Sequence, residues 1–147
     1  MDACRATGNA VEFGGWQGSS TERIARRFAT VLVVDAWQLG EEFLPAAAAY
    51  AVFCDRMAHR PNVARFRAWA HEFMPVYDGP LAFLHVDHDH GYDATRDAIR
   101  WGLDRALPGA VLAGHDYGHP DYPGVAGAVD ELLPGRTVEG VVWWQRV

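Results

Sequence analysis

Three short apolar runs in this chain each close on polar chemistry, and helical patterns separate them. Residues 30–34 lead to Asp35, residues 81–86 to Asp87, and residues 110–113 to Gly114-His115-Asp116-Tyr117. Continuous β-branched and apolar runs of this length suit parallel strands buried on both faces. Residues 10–13 form a shorter apolar run, residues 63–67 a weaker strand, and residues 137–147 one or two terminal strands rich in Val and Trp. Helical spacing marks 20–28, with Ser19, Ser20 and Thr21 as candidate N-caps, and the Ala-rich 45–57, which opens on a Pro suited to a first turn. It also marks 69–74, 94–107 with Pro108-Gly109 as its stop, and 125–133. Such alternation predicts an α/β, Rossmann-like doubly wound sheet, mostly parallel, with helices on both faces. At 147 residues, half of them hydrophobic, the chain holds one core and reads as a single domain over 1–147. Ligands of open sheets bind beyond the carboxyl ends of the strands. Asp35, Asp87, His115 and Asp116 therefore fall along one edge.

The first strand runs into Gly14-Gly15-Trp16-Gln17-Gly18 and then a helix. Glycine permits a tight turn and lets a ligand approach the backbone. An acid at the end of the next strand, Asp35, can accept the hydroxyls of a ribose. Loop and acid together point to a nucleotide-bearing ligand. The G-x-G-x-x-G spacing of nicotinamide sites is missing, and no Gly-Lys-Ser/Thr of a P-loop occurs anywhere.

The run Val11-Glu12-Phe13-Gly14-Gly15-Trp16-Gln17-Gly18-Ser19-Ser20 resembles motif I of class I S-adenosylmethionine (SAM)-dependent methyltransferases. Val33-Val34-Asp35-Ala36-Trp37 resembles their second-strand acidic motif. The stretch from Leu84 to Asp93, then Gly109, Gly114-His115-Asp116-Tyr117 and Gly124-Val125, is similar to methyltransferase family 24, related to sugar O-methyltransferases of natural-product pathways. The resemblance implies that SAM is the cofactor, held by Glu12, Gly14, Gly15, Gly18, Ser19, Asp35, Trp37, Trp69, Ala70 and Asp87. Glu12, Gly14 and Gly18 would line its methionine end and Asp35 its ribose, while Trp37, Trp69, Ala70 and His71 would stand near the adenosine. His88 occupies a position where the family commonly has glycine, and Pro108-Gly109-Ala110 replaces a more usual Gly-Gly pair.

Asp87, His88, Asp89 and His90 follow one strand, and His115 and Asp116 its neighbour. Hard carboxylate oxygens with imidazole suit Mg²⁺ or Mn²⁺, so Asp87 and Asp116 are the expected metal ligands. His90 is the expected general base, with His115 its rival, because an imidazole titrates near working pH. Metal use by related sugar O-methyltransferases supports the same reading. Asp93 reads as an N-cap, Asp97 as a solvated helix residue, His119 as a loop surface residue, and His59 and His85 as structural.

Composition narrows the partners. A formal charge of −6 with scattered Arg disfavours a nucleic acid, whose phosphates reward a basic face. No stretch is long and apolar enough to span a bilayer, and no basic start precedes an apolar leader, so a cytoplasmic protein is expected. Cys4 and Cys54 show neither metal spacing nor a disulfide framework. Of the 6 Trp, Trp101, Trp143 and Trp144 lie outside the motifs and suit the core or a subunit contact. With no dedicated acceptor-binding segment, a small-molecule acceptor pocket completed in a homodimer is expected. The alternative is a non-catalytic or other nucleotide-binding module on the same scaffold.

Overall fold

A computed structural model describes residues 8–38 and 45–147, and Cys4 lies outside them. Their strands are β1 (Asn9–Phe13), β2 (Val31–Asp35), β3 (Val63–Arg67), β4 (Leu81–Val86), β5 (Ala106–Gly114), β6 (Thr137–Glu139) and β7 (Val142–Arg146). The helices are α1 (Ser19–Ala25), α2 (Ala46–Met57), α3 (Ala70–Phe73), α4 (Tyr92–Arg105) and α5 (Pro123–Leu132). The strands make one sheet in the order β3-β2-β1-β4-β5-β7-β6. β1 to β5 pair in parallel, while β7 runs antiparallel to both its neighbours. The chain steps outward from β1 to β3, then returns past β1 to lay down β4. The order thus reverses between β1 and β4, where doubly wound sheets open a crevice.

Alternation along the strands feeds two apolar layers. Val11, Phe13, Leu84, Val86 and Leu112 face α3, α4 and α5, and pack with Ile99, Trp101, Val129 and Trp143. Ala10, Val31 and Val33 face α1 and α2, and pack with Ile24, Phe53 and Met57. Of the tryptophans expected in a core or contact, Trp101 and Trp143 are buried, whereas Trp144 stays 38% exposed.

Several boundaries differ from those read in the sequence. Helix α1 is capped by Gly18 in a left-handed conformation, so Ser19 and Ser20 lie inside the helix and Thr21 turns into the core. Helix α4 starts at Tyr92 with Gly91 as its N-cap, and Asp93 is a first-turn residue paired with Arg96 at 2.7 Å. The Gly91 amide is instead taken by the Asp89 carboxylate at 2.8 Å. Pro108-Gly109 does not stop that helix. Ala106 already has extended backbone, and Pro108-Gly109 lies within β5, where the register jumps from Leu81↔Ala106 to Phe83↔Val111. A Pro-Gly pair fits this irregular stretch because Gly109 adopts φ 85°.

Candidate functional site

At the end of β1 the chain turns through Gly14, at φ 90°, whose amide donates to Val34 O at 2.9 Å. A Cβ on Gly14 would lie 1.7 Å from the Asp87 carbonyl oxygen. Only glycine lets the loop pass so close to the end of β4. A Cβ on Gly15 would lie 2.5 Å from Val33 Cγ1. Ser19, the first residue of α1, is exposed and accepts a hydrogen bond from Arg56 at 3.0 Å.

Beneath the loop, Glu12 is fully buried and accepts a hydrogen bond from the Thr21 hydroxyl. Its other oxygen lies 3.2 Å from His85 Nδ1 on the neighbouring strand, without the alignment of a hydrogen bond. Burial alone would push His85 down, but the Glu12 carboxylate outweighs it and holds its pKa above the ordinary imidazole value.

Asp35 ends β2 half-buried, and its two oxygens accept the amides of Trp16 at 2.8 Å and Trp37 at 2.6 Å. Each oxygen keeps a further lone pair for a ligand hydroxyl. The Trp37 indole donates to Trp16 O at 2.8 Å, and its ring is buried against Tyr50 and Phe53. Among the described residues, Trp16 (φ 42°), Trp37 (φ 47°) and Asp116 (φ 60°) are the non-glycine residues in left-handed backbone. All three follow strand ends, and strain of this kind collects at functional sites.

A cleft is lined by Trp69, Ala70, His71 and Met74 around α3 and by His88, Asp89 and, from α4, Ala94 and Asp97. Burial pushes the His88 imidazole down to about 4, so it is neutral near pH 7. Its ring packs 5.5 Å from Phe13 and its Nδ1 is buried without a partner.

Beyond β4 and β5 the acids and histidines converge. His90 Nε2 lies 2.9 Å from Asp116 Oδ2 and 3.7 Å from Asp87 Oδ1, while His115 Nδ1 lies 3.1 Å from Asp116 Oδ1. The Asp87 carboxylate raises the His90 pKa against the opposing pull of burial, and the charges of Asp116 and Asp89 add to it. Burial would raise Asp87, but His90 and the fields of His85 and His115 bring it below its usual value. Asp87, His90 and Asp116 each bring a ligand atom within 4.8 Å of the others. Two hard oxygens and one imidazole nitrogen at that spacing suit a divalent cation.

Sequence reasoning singled out the acids and histidines here but missed three supporting residues. Thr21 holds Glu12. Trp16 gives its amide to Asp35. Tyr122 stacks on His90 at 4.2 Å and on His119 at 4.8 Å. Only Tyr122 carried a signal, an aromatic between His119-Pro120 and Pro123 at the start of a helix. His119 lies in the loop with its side chain 37% exposed, as expected, and its Nδ1 accepts the Asp121 amide at 3.2 Å.

Residues 11–117 match the family model described as a methyltransferase domain. The solved structures the chain resembles include CalS11, a TDP-rhamnose 3'-O-methyltransferase in calicheamicin biosynthesis, at 14% identity and TM-score 0.72, over 97% of this chain and 73% of that one. A putative rRNA-methylase from Clostridium thermocellum is similar at 14% identity and TM-score 0.71, over 95% and 89%. The O-methyltransferase TomG from Streptomyces achromogenes, solved with SAM, is similar at 20% identity and TM-score 0.68, over 92% and 70%. No curated protein sequence matches the chain. With the glycine loop, the β2 acid and the β4 and β5 motifs gathered at one sheet edge, and the family model covering most of the chain, this protein belongs to the class I methyltransferases of family 24.

Proposed function

We propose that this methyltransferase takes its methyl group from SAM and delivers it to a hydroxyl oxygen of a small acceptor, of the sugar or natural-product type, with a divalent cation at Asp87, His90 and Asp116. One observation carries the reading: a ribose-competent acid and a cation-competent triad stand on either side of the same glycine loop. The residues fit both groups. Asp35 keeps free lone pairs at the strand end, and Glu12 stays buried between Thr21 and His85, where it supports the loop from β1. When bound, SAM supplies an electrophilic sulfonium methyl, and Mg²⁺ or Mn²⁺ lowers the pKa of an acceptor oxygen.

The chain's own residues do the rest. Asp35 orients the ribose end, and the cleft between Trp69 and His88 takes the base. Asp87, His90 and Asp116 would hold the cation beside the loop, and in-line positioning of the acceptor there would provide much of the acceleration. An Nε2 engaged with a cation cannot also take a proton, so the base role passes from His90 to His115, whose side chain is 43% exposed beside Asp116. The acidic balance of the chain favours a small acceptor over a phosphodiester backbone. A second copy of the chain completes the acceptor side of the site.

Calorimetric titration with SAM tests the core of this reading. Asp35→Ala should weaken binding by about 1.5–3 kcal/mol, the scale of a lost charge-assisted hydrogen bond. Unchanged affinity removes Asp35 from the site. Chelation should abolish turnover of hydroxylated acceptors while SAM still binds, and Asp87→Asn and Asp116→Asn should reproduce the chelated enzyme. Full turnover in excess chelator overturns the cation.

A further inference from the structure

Among the described residues, the two faces of the sheet are unequally covered beyond β4. On one face Leu112 and Trp143 are buried in the layer beneath α4 and α5. On the other face α1 and α2 pack over β1 and β2, and β4 reaches that layer through Phe83, stacked on Phe28 at 5.3 Å. Register places Val111, Ala113, Val142, Trp144 and Arg146 on this second face, with Glu139 beside Val142 and Thr137 beside Trp144. Trp144 is 38% exposed and Val142 40%.

The charges on this face are ordered. Glu139 stands at the end of β7 nearer the site, and Arg146 lies four residues along the strand, roughly 13 Å away at the usual rise. Trp144 sits between them. Neither Glu139 nor Arg146 forms an ion pair among the described residues. An apolar centre with opposite charges at its two ends is complementary to itself under a two-fold rotation that reverses the strand direction.

We infer that the open β5–β7–β6 face is the contact surface of a two-fold homodimer, with Trp144 on the axis and Glu139 of each copy facing Arg146 of the other. The inference rests on the pairing read above and adds its surface. It also places the partner beside the acceptor, because β7 starts next to the site. The Tyr117 amide donates to Val141 O at 3.0 Å, and Trp143 pairs with Gly114, the residue before His115.

Sedimentation velocity and light scattering on the full chain at tens of micromolar test it. The wild type should be a dimer, and Trp144→Glu a monomer with an unchanged far-UV spectrum. Glu139→Arg and Arg146→Glu, both at exposed positions, should each raise the dissociation constant tenfold or more. An equimolar mixture of these two variants should dimerise again, since every cross-pair in the mixed dimer is then of opposite charge. That mixing experiment decides the matter even where Trp144→Glu fails to fold. A monomeric wild type overturns both the pairing and the surface. A dimer indifferent to both charge reversals overturns the surface alone, and a mixture that stays monomeric overturns the two-fold arrangement.

Discussion

A methyl group at Gly14 would meet the Asp87 carbonyl oxygen at 1.7 Å, in a residue whose φ is 90°. Gly14→Ala therefore carries two penalties. Left-handed backbone costs an L-residue roughly 1–2 kcal/mol, and a clash with backbone cannot be relieved by rotating a side chain. We expect a loss of at least about 2 kcal/mol in urea unfolding, together with loss of SAM binding; a stable, binding-competent variant would show that β4 can retreat. His88 makes a second prediction at this scale. Its folded pKa, about 4, lies below the unfolded value near 6.5, so the unfolded chain takes up the proton first. The stability it contributes is complete above pH 6.5 and is lost as pH falls through 4, by about 3 kcal/mol in all at 1.36 kcal/mol per unit. In metal-free buffer His88→Phe should flatten the fall in stability between pH 6.5 and 4, and an unchanged slope would assign that fall to other groups. Gly14 was legible in the sequence because backbone geometry demands glycine there, and Asp35 and Asp87 because a carboxylate stands out at the end of an apolar strand. Thr21 and Trp16 were not. Their roles come from which neighbours the folded chain brings to them, and any small polar residue or any amide would read the same in a linear string.

Helix α4 shows how one residue sets the distance between an element and the sheet. A Cβ at Gly102 would lie 2.5 Å from Leu84 Cδ2, on a side chain that is itself fully buried. Replacing a helical glycine ordinarily gains up to about 1 kcal/mol, whereas overpacking a filled core costs about 1–3 kcal/mol. The second effect should win for Gly102→Val, which we expect to lower stability by about 1–2 kcal/mol in denaturant titration. A neutral or stabilised variant would mean that Leu84 has room to move. Strands β2 and β4 were legible to within a residue, since buried parallel strands are unbroken apolar runs. The ends of α4 and the start of β5 were not. Asp93 is a good cap by type, but the Asp89–Gly91 turn starts the helix two residues earlier than expected. Pro108-Gly109 reads as a stop, yet Ala106 before it already pairs with Leu81 of β4 and the Gly109 amide donates to Val147 O at 2.6 Å, so the segment runs on into the sheet.

Across the whole molecule, strand–helix alternation conveyed the doubly wound sheet, and the polar strand ends conveyed the edge at which the acids and histidines gather. The antiparallel insertion of β7 between β5 and β6 could not be read from one or two terminal strands rich in Val and Trp, because strand order is a long-range property. The same limit applies to the tryptophans. Trp143 and Trp144 are adjacent in sequence, and only the pleat sends one into the core and leaves the other on an open face. The reversal of order between β1 and β4 has a further consequence. The glycine loop and Asp35 belong to the half-sheet that ends with α3, while Asp87, His90, His115 and Asp116 belong to the half that starts with β4. On the function proposed above, a cut in the connection between them would divide the site, leaving the glycine loop, Asp35 and Trp69 in one piece and His88 with the acid–histidine group in the other. Neither piece could transfer a methyl group alone, and activity would return only when β1 of one found β4 of the other. Methyl transfer by this fold is therefore a coincidence signal, a natural basis for a split reporter of molecular proximity.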